Sequence, residues 1–241
     1  MKTFTLIRRP AIVLALALSA TVAPAFTPSF DAATGFSLVG NPNGPWSYGY
    51  SQSLGSPLIP HATSGISGGL EFWNTDIWIG LPWVARNSTA APILWSGTAL
   101  FAPGALTLHP GAFGEVATVR FTVPVTGQYF VNGAFFGQDI VGPTTTDAHI
   151  LLNGTSLLDT TIADFGISHP FNIPLALVAG SQLDFAVGYG PVTPNVYDSN
   201  YYDSTGLAAQ ITLVPEPTTP VLAGFAAGLL GLLRRHKNTK T

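Results

Sequence analysis

Cysteine is missing from this chain, and methionine occurs once, as Met1. Without cysteine there can be no disulfide scaffold, no thiol nucleophile and no thiolate zinc site. Charge is scarce as well. Only 9% of the 241 residues are Asp, Glu, Lys or Arg, against about 25% in an ordinary globular chain. That excludes a coiled coil, a long charged tail and a nucleic-acid-binding surface, all of which depend on charge. Long apolar runs are lacking too. Ala11 to Ala20 and Val221 to Leu233 are the main candidates, and both fall short of the roughly 20 residues needed to span a bilayer as a helix. Finally, no lysine lies between Lys2 and Lys237.

What charge there is sorts into three pieces. Residues 1–25 hold Lys2, Arg8 and Arg9 and no acid. Residues 215–241 hold Arg234, Arg235, Lys237 and Lys240 against Glu216. Residues 26–214 hold nine Asp, Glu71 and Glu115 against Arg86 and Arg120. An acidic, lysine-free body thus lies between two basic, apolar ends.

The N-terminal end has the order of an export signal. Basic residues come first, then the apolar stretch, then small residues at Ala23 and Ala25, which places signal peptidase cleavage before Phe26. Arg8-Arg9 lacks the flanking residues of a twin-arginine signal, so the general secretory translocon is the expected route. At the other end, Pro215-Glu216-Pro217 forces an extended approach suited to a peptidase cleft. A short apolar segment rich in Gly, Ala and Leu follows, then Arg234-Arg235. The basic cluster should stay cytoplasmic, leaving the body outside. These three parts, in this order, resemble the PEP-CTERM protein-sorting signal. The resemblance implies a bacterial, mostly Gram-negative host. It also implies processing by exosortase, a membrane-embedded peptidase, and an association with exopolysaccharide production. It covers residues 215–237 and gives an address, not an activity.

The body reads as all-β: one β-sandwich or jelly roll over 26–214, between an N-terminal signal helix and a C-terminal hydrophobic sorting helix. Residues 115–124 alternate, with Ala117, Val119, Phe121 and Val123 on one face and Thr118, Arg120 and Thr122 on the other. The Thr126-Gly127 turn then predicts a hairpin with a strand carrying Tyr129, Val131, Gly133 and Phe135. Asn153-Gly154 between 148–152 and 155–159 predicts a second hairpin with a type I′ turn. Further alternation runs through 183–189 and 207–213, and strands are expected near 70–73, 76–79, 92–95 and 98–101. No sustained helical period occurs in the body. Asn41 to Gly49, Leu108-His109-Pro110-Gly111, Arg120 in its strand, Gly127-Gln128-Tyr129 and Asp203 to Leu207 resemble stretches of a recurrent exported bacterial module. That module is similar to a carbohydrate-binding-type jelly roll, and no binding residues carry over from it.

Chemistry is harder to find. Gly65-Ile66-Ser67-Gly68-Gly69 fits G-x-S-x-G, but a nucleophile elbow needs a helix after it, and Leu70 to Trp73 reads as a strand. Glycoside hydrolysis needs two carboxyls about 5–10 Å apart, and spacing in sequence identifies no such pair. His61, His109, His149 and His169 lack metal-ligand spacing. Asp198 to Asp203 could offer oxygens to Ca²⁺, yet lacks the glycine and closing glutamate of an EF-hand, so no cofactor is expected. Arg120 should pair with an acid. The candidate glycan contacts are aromatics in two Pro/Gly or Asp-rich loops: Trp46, Tyr48 and Tyr50 in the first, Tyr201 and Tyr202 beside Asp198 and Asp203 in the second. A flat ring meets sugar C–H groups while a neighbouring acceptor takes hydroxyls. The same rings could instead fold back as loop anchors.

Three readings remain at this point. The first is an exported, non-catalytic protein at the cell surface or outside it, bound to extracellular polysaccharide. The second is a secreted polysaccharide hydrolase. The third is a purely structural surface or biofilm protein.

Overall fold

The computed structural model describes residues 27–75, 82–142, 144–190 and 200–215. Ala23, Ala25, the expected strand at 76–79, Asp198, Glu216, Pro217, Arg234 and Arg235 lie outside the described residues, as do both expected terminal helices. Among the described residues there is no helix.

Sixteen strands appear among the described residues: β1 (Ser29–Asp31), β2 (Trp46–Ser51), β3 (Ile59–Pro60), β4 (Thr63–Ser67), β5 (Leu70–Asn74), β6 (Trp83–Asn87), β7 (Ile93–Trp95), β8 (Ala99–Phe101), β9 (Leu106–His109), β10 (Val116–Thr122), β11 (Gly127–Gly137), β12 (Thr146–Leu152), β13 (Thr155–Ile162), β14 (Ser168–Leu177), β15 (Gln182–Gly188) and β16 (Thr205–Val214). One sheet runs β14-β11-β16-β9-β6-β5-β4, with β1 also on β16. The other runs β13-β12-β15-β10-β2-β3, and β7-β8 form a separate pair. All pairings between named strands are antiparallel, and most join strands that are not neighbours in sequence. This is the layout of a β-sandwich of the jelly-roll class.

The alternating residues fill the space between the sheets. Val119, Phe121, Ile150, Leu183, Phe185 and Val187 come from the six-stranded side. Leu106, Leu108, Tyr129, Val131, Phe135, Leu207 and Ile211 come from the eight-stranded side. Gly133 belongs to the same inward series. A Cβ there would overlap the Ala208 carbonyl oxygen and press on the Phe171 ring, so the close approach of β16 requires glycine. The Asn153-Gly154 hairpin is present, with φ of +50° and +81° at the two turn residues and β12 paired to β13.

Two expectations are corrected. The strands on either side of Thr126-Gly127 do not form a hairpin: β10 pairs with β15 and β2, whereas β11 pairs with β14 and β16. The chain crosses from one sheet to the other, and a turn signal alone cannot distinguish the two outcomes. The Tyr129 hydroxyl donates to the Val125 carbonyl at 2.6 Å and pins this crossover. Second, Trp46, Tyr48 and Tyr50 lie on β2 rather than on a loop. Trp46 packs against Phe121, with ring centroids 5.1 Å apart. Tyr48 is fully buried and donates to the Gly35 carbonyl at 2.9 Å. Asn41 stands in for a strand partner: its amide donates to the Tyr48 carbonyl at 2.6 Å, and its carbonyl oxygen accepts from the Tyr48 N–H at 2.9 Å. The Asn41–Pro45 loop is therefore real, but it ends just before the aromatics.

The two ends of the body meet. β1 pairs with the second half of β16, and the Leu213 N–H donates to the Pro28 carbonyl at 3.0 Å. Pro215 follows directly and is exposed.

Candidate functional site

The outer face of β5 and β6 carries a second, smaller core. Along β6, Val84 faces the main core while Trp83 and Ala85 face outward. Along β5, Trp73 faces inward and Leu70 and Phe72 outward. The β7-β8 pair covers these outward groups through Ala99, Phe101, Ile93 and Trp95. The cover is fastened by backbone hydrogen bonds from Leu100 to Gln138 (2.8 Å) and from Ile140 to Thr98 (2.7 Å). It leaves one side open.

That opening is a cleft of about 610 Å³. Its walls include Phe72, Trp83, Trp95, Tyr201 and Tyr202, with Asn74, His109, Asp139 and Asn200 among them. The Trp83 ring lies 6.0 Å from Trp95 and 6.4 Å from His109, centroid to centroid. Its indole N–H is buried and has no hydrogen-bond partner among the described residues. Tyr201 is 70% exposed; its ring is 6.4 Å from Tyr202 and inclined by 48°, so the two do not form a flat platform. Tyr202 has φ of +68°, an uncommon backbone state for a bulky side chain and one that clusters at functional sites.

The polar groups are held firmly. Asp139 accepts from the Ser204 N–H at 2.6 Å, and burial raises its pKa against that bond. His109 Nδ1 lies 3.0 Å from the Pro110 carbonyl. A carbonyl can only accept, so Nδ1 carries the proton and Nε2 is left as an acceptor in the neutral ring. Burial brings the His109 pKa down to about 4. The Asn200 amide donates to the same carbonyl at 3.2 Å.

The expected glycan contacts thus separate. Tyr201 and Tyr202 line the cleft. Trp46 and Tyr48 are in the main core and out of reach. Tyr50 stacks on His61 at 5.7 Å, on the other sheet. Asp203 is completely buried; it accepts from the Thr145 N–H at 2.9 Å and from the hydroxyls of Thr145 (3.3 Å) and Thr146 (3.2 Å). It ties β16 to the start of β12 and cannot meet a sugar. Sequence reading missed Phe72, Asn74, Trp83, Trp95, His109, Asp139 and Asn200. Strict alternation around Val84 was the available signal for Trp83.

The remaining motifs are structural. Ser67 ends β4, Gly68-Gly69 turns, and β5 follows as a strand, so no nucleophile elbow forms. Glu115 accepts from the Phe113 N–H at 2.9 Å. Arg120 forks onto Asp184, with Nε to Oδ1 at 2.6 Å and a terminal nitrogen to Oδ2 at 2.8 Å. Among the described residues no three His, Asp or Glu side chains gather as a metal site.

Residues 213–237 match the family described as the PEP-CTERM protein-sorting motif. The chain therefore carries that motif, which marks an exported protein sorted by exosortase. No curated protein matches the chain. Among solved structures it is similar to the CBM22-1 xylan-binding domain of Paenibacillus barcinonensis Xyn10C: 13% identity, 79% of this chain and 95% of that one, TM-score 0.34. It is similar to a family 35 carbohydrate binding module from Clostridium thermocellum: 11% identity, 62% and 98% covered, TM-score 0.31. The ANX2 ectodomain from Arabidopsis thaliana is also similar: 15% identity, 46% of this chain, TM-score 0.33, with the match covering 33% of the ectodomain's length.

Proposed function

We propose that this is an exported, non-catalytic glycan-binding protein, and that the cleft on the outer face of the eight-stranded sheet holds part of an extracellular polysaccharide. One observation carries the reading: five aromatic rings and several fixed polar groups converge on a cleft of about 610 Å³. Sugar recognition asks for that combination of apolar ring faces and a few placed hydrogen-bonding groups. Among the described lining residues Asp139 is the one carboxyl, whereas glycoside hydrolysis uses a pair; this favours binding over cleavage. Delivery runs through the secretory translocon, signal peptidase acting after Ala25, and exosortase acting on the tail near Pro215–Pro217, which places the body at the cell surface or beyond it.

The test is a polysaccharide pull-down with the exported protein, repeated with Trp95→Ala and Tyr201→Ala. Retention by the parent and loss in both variants is the expected result. No retained glycan at millimolar concentration sinks the proposal.

A further inference from the structure

The body, residues 26–214, contains no lysine and two arginines, Arg86 and Arg120, and both are placed. Arg120 is on β10 of the six-stranded sheet, forked onto Asp184, with the two side chains only 15% and 10% exposed. Arg86 follows Ala85 on β6 and therefore stands on the Val84 face, toward the main core. There its charge acts on the Tyr48 phenol. Neither arginine lines the cleft.

The segments 76–81 and 191–199 cannot change this count, whatever their arrangement. Their sequences, DIWIGL and PVTPNVYDS, hold no Lys, Arg or His. They add Asp76 and Asp198, which are acids. His109 is the imidazole in the cleft wall. Its Nδ1 proton is committed to the Pro110 carbonyl, and burial keeps the ring neutral above about pH 4. Among the described lining residues the one carboxyl is that of Asp139.

We propose that the cleft takes a glycan built of neutral hexoses or amino sugars and rejects uronate, sulfated and phosphorylated chains. The inference rests on the glycan-binding reading and narrows it. A sugar anion entering a partly dry cleft loses hydration and needs a cation to replace it; here it meets a carboxyl instead. Neutral hydroxyls meet neutral groups, among them the Trp83 indole N–H, which has no partner among the described residues, and the His109 Nε2 acceptor. An ammonium on an amino sugar would meet Asp139.

The experiment compares paired polysaccharides that share one backbone and differ in charge: polygalacturonate with its methyl ester, dextran sulfate with dextran, alginate with carboxyl-reduced alginate, and the host's exopolysaccharide before and after carboxyl reduction. Depletion is measured with the exported protein at low ionic strength in EDTA, so that no divalent cation bridges acid to acid. In every pair that binds, the acidic member should be weaker by about tenfold or more, and the gap should narrow as salt rises. Ser67→Lys, which sets a cation on the cleft rim, should raise the acidic-to-neutral affinity ratio. Equal or tighter binding of the acidic member in EDTA, lost on Trp95→Ala, overturns this inference and leaves glycan binding standing. Failure to retain either member of any pair removes both.

Discussion

Arg120 and Asp184 sit directly opposite each other on β10 and β15 and share two charge-assisted hydrogen bonds, at 2.6 and 2.8 Å. The pair is mostly buried, so removing one partner leaves the other desolvated and uncompensated. Arg120→Ala should cost about 3 kcal/mol of stability. The double change Arg120→Met with Asp184→Leu should recover most of it, because an apolar pair of similar shape avoids the charge altogether. Urea unfolding of the parent and the two variants checks this. A single variant as stable as the parent would reduce the pair to a surface contact.

Asp203 gives a pH dependence of definite sign. Burial lifts its pKa from an ordinary 3.8 to about 7, with a smaller push from Asp139. Between those values the folded protein keeps a proton that the unfolded chain has released. Stability from this group therefore falls as pH rises from about 4 to about 7. His61 and His109, both brought down to about 4 by burial, work the other way, since the unfolded chain binds their protons first. The informative quantity is thus a difference. Asp203→Asn cannot titrate and should gain on the parent, in melting temperature, as pH goes up through that window. A flat difference would contradict the assignment.

Core and cleft aromatics should separate cleanly. Trp46→Ala empties a site against Phe121 and Phe185 and should cost about 3–5 kcal/mol of stability. Tyr201→Ala removes an exposed ring and should leave stability within about 0.5 kcal/mol while lowering glycan affinity by about tenfold, one stacking contact's worth. Denaturant melts and depletion binding on the same preparations distinguish the two. A large stability loss for Tyr201→Ala would make that ring a loop anchor.

Gly133→Ala should prevent the close packing of β11 on β16, because the added carbon overlaps the Ala208 carbonyl. The expected result is loss of cooperative unfolding, or a penalty above about 3 kcal/mol, as for other overpacked cores. The neighbouring change Ala134→Ser, on the opposite face of the same strand, should be nearly neutral. Equal behaviour of the two would argue against the register Gly133↔Ala209.

How much of this was legible beforehand follows physical lines. Period-two stretches such as Val116–Thr122 and Gln182–Gly188 announce strands because large apolar residues alternate with small or polar ones, although the fold buries both faces of most of β15. Asn153-Gly154 announces its turn because only such residues accept both positive φ values. Trp46 and Tyr48 were misplaced because the Pro/Gly loop before them extends no further than Pro45, and WSYGYS alternates less strictly than its neighbours. The cleft was half visible. Tyr201 and Tyr202 stood out beside polar residues, but Phe72, Trp83, Trp95 and His109 come from four strands spread over some forty positions. Strand register and the β7-β8 cover bring them together, and neither is written in local spacing.

The meeting of Pro28 with Leu213 has a consequence for how the body hangs. Those residues mark one tip of β16, whereas Ser204, Tyr202, Asp139 and His109 gather at the other. Ten residues of strand separate them, roughly 30 Å at about 3.3 Å each. The described chain enters and leaves the sandwich at one pole, and the cleft opens at the opposite pole. Under the proposed function, a tail that leashed the body to the membrane would leave the cleft facing outward. Cutting the leash would change how far the molecule can travel, and leave untouched what it can grip.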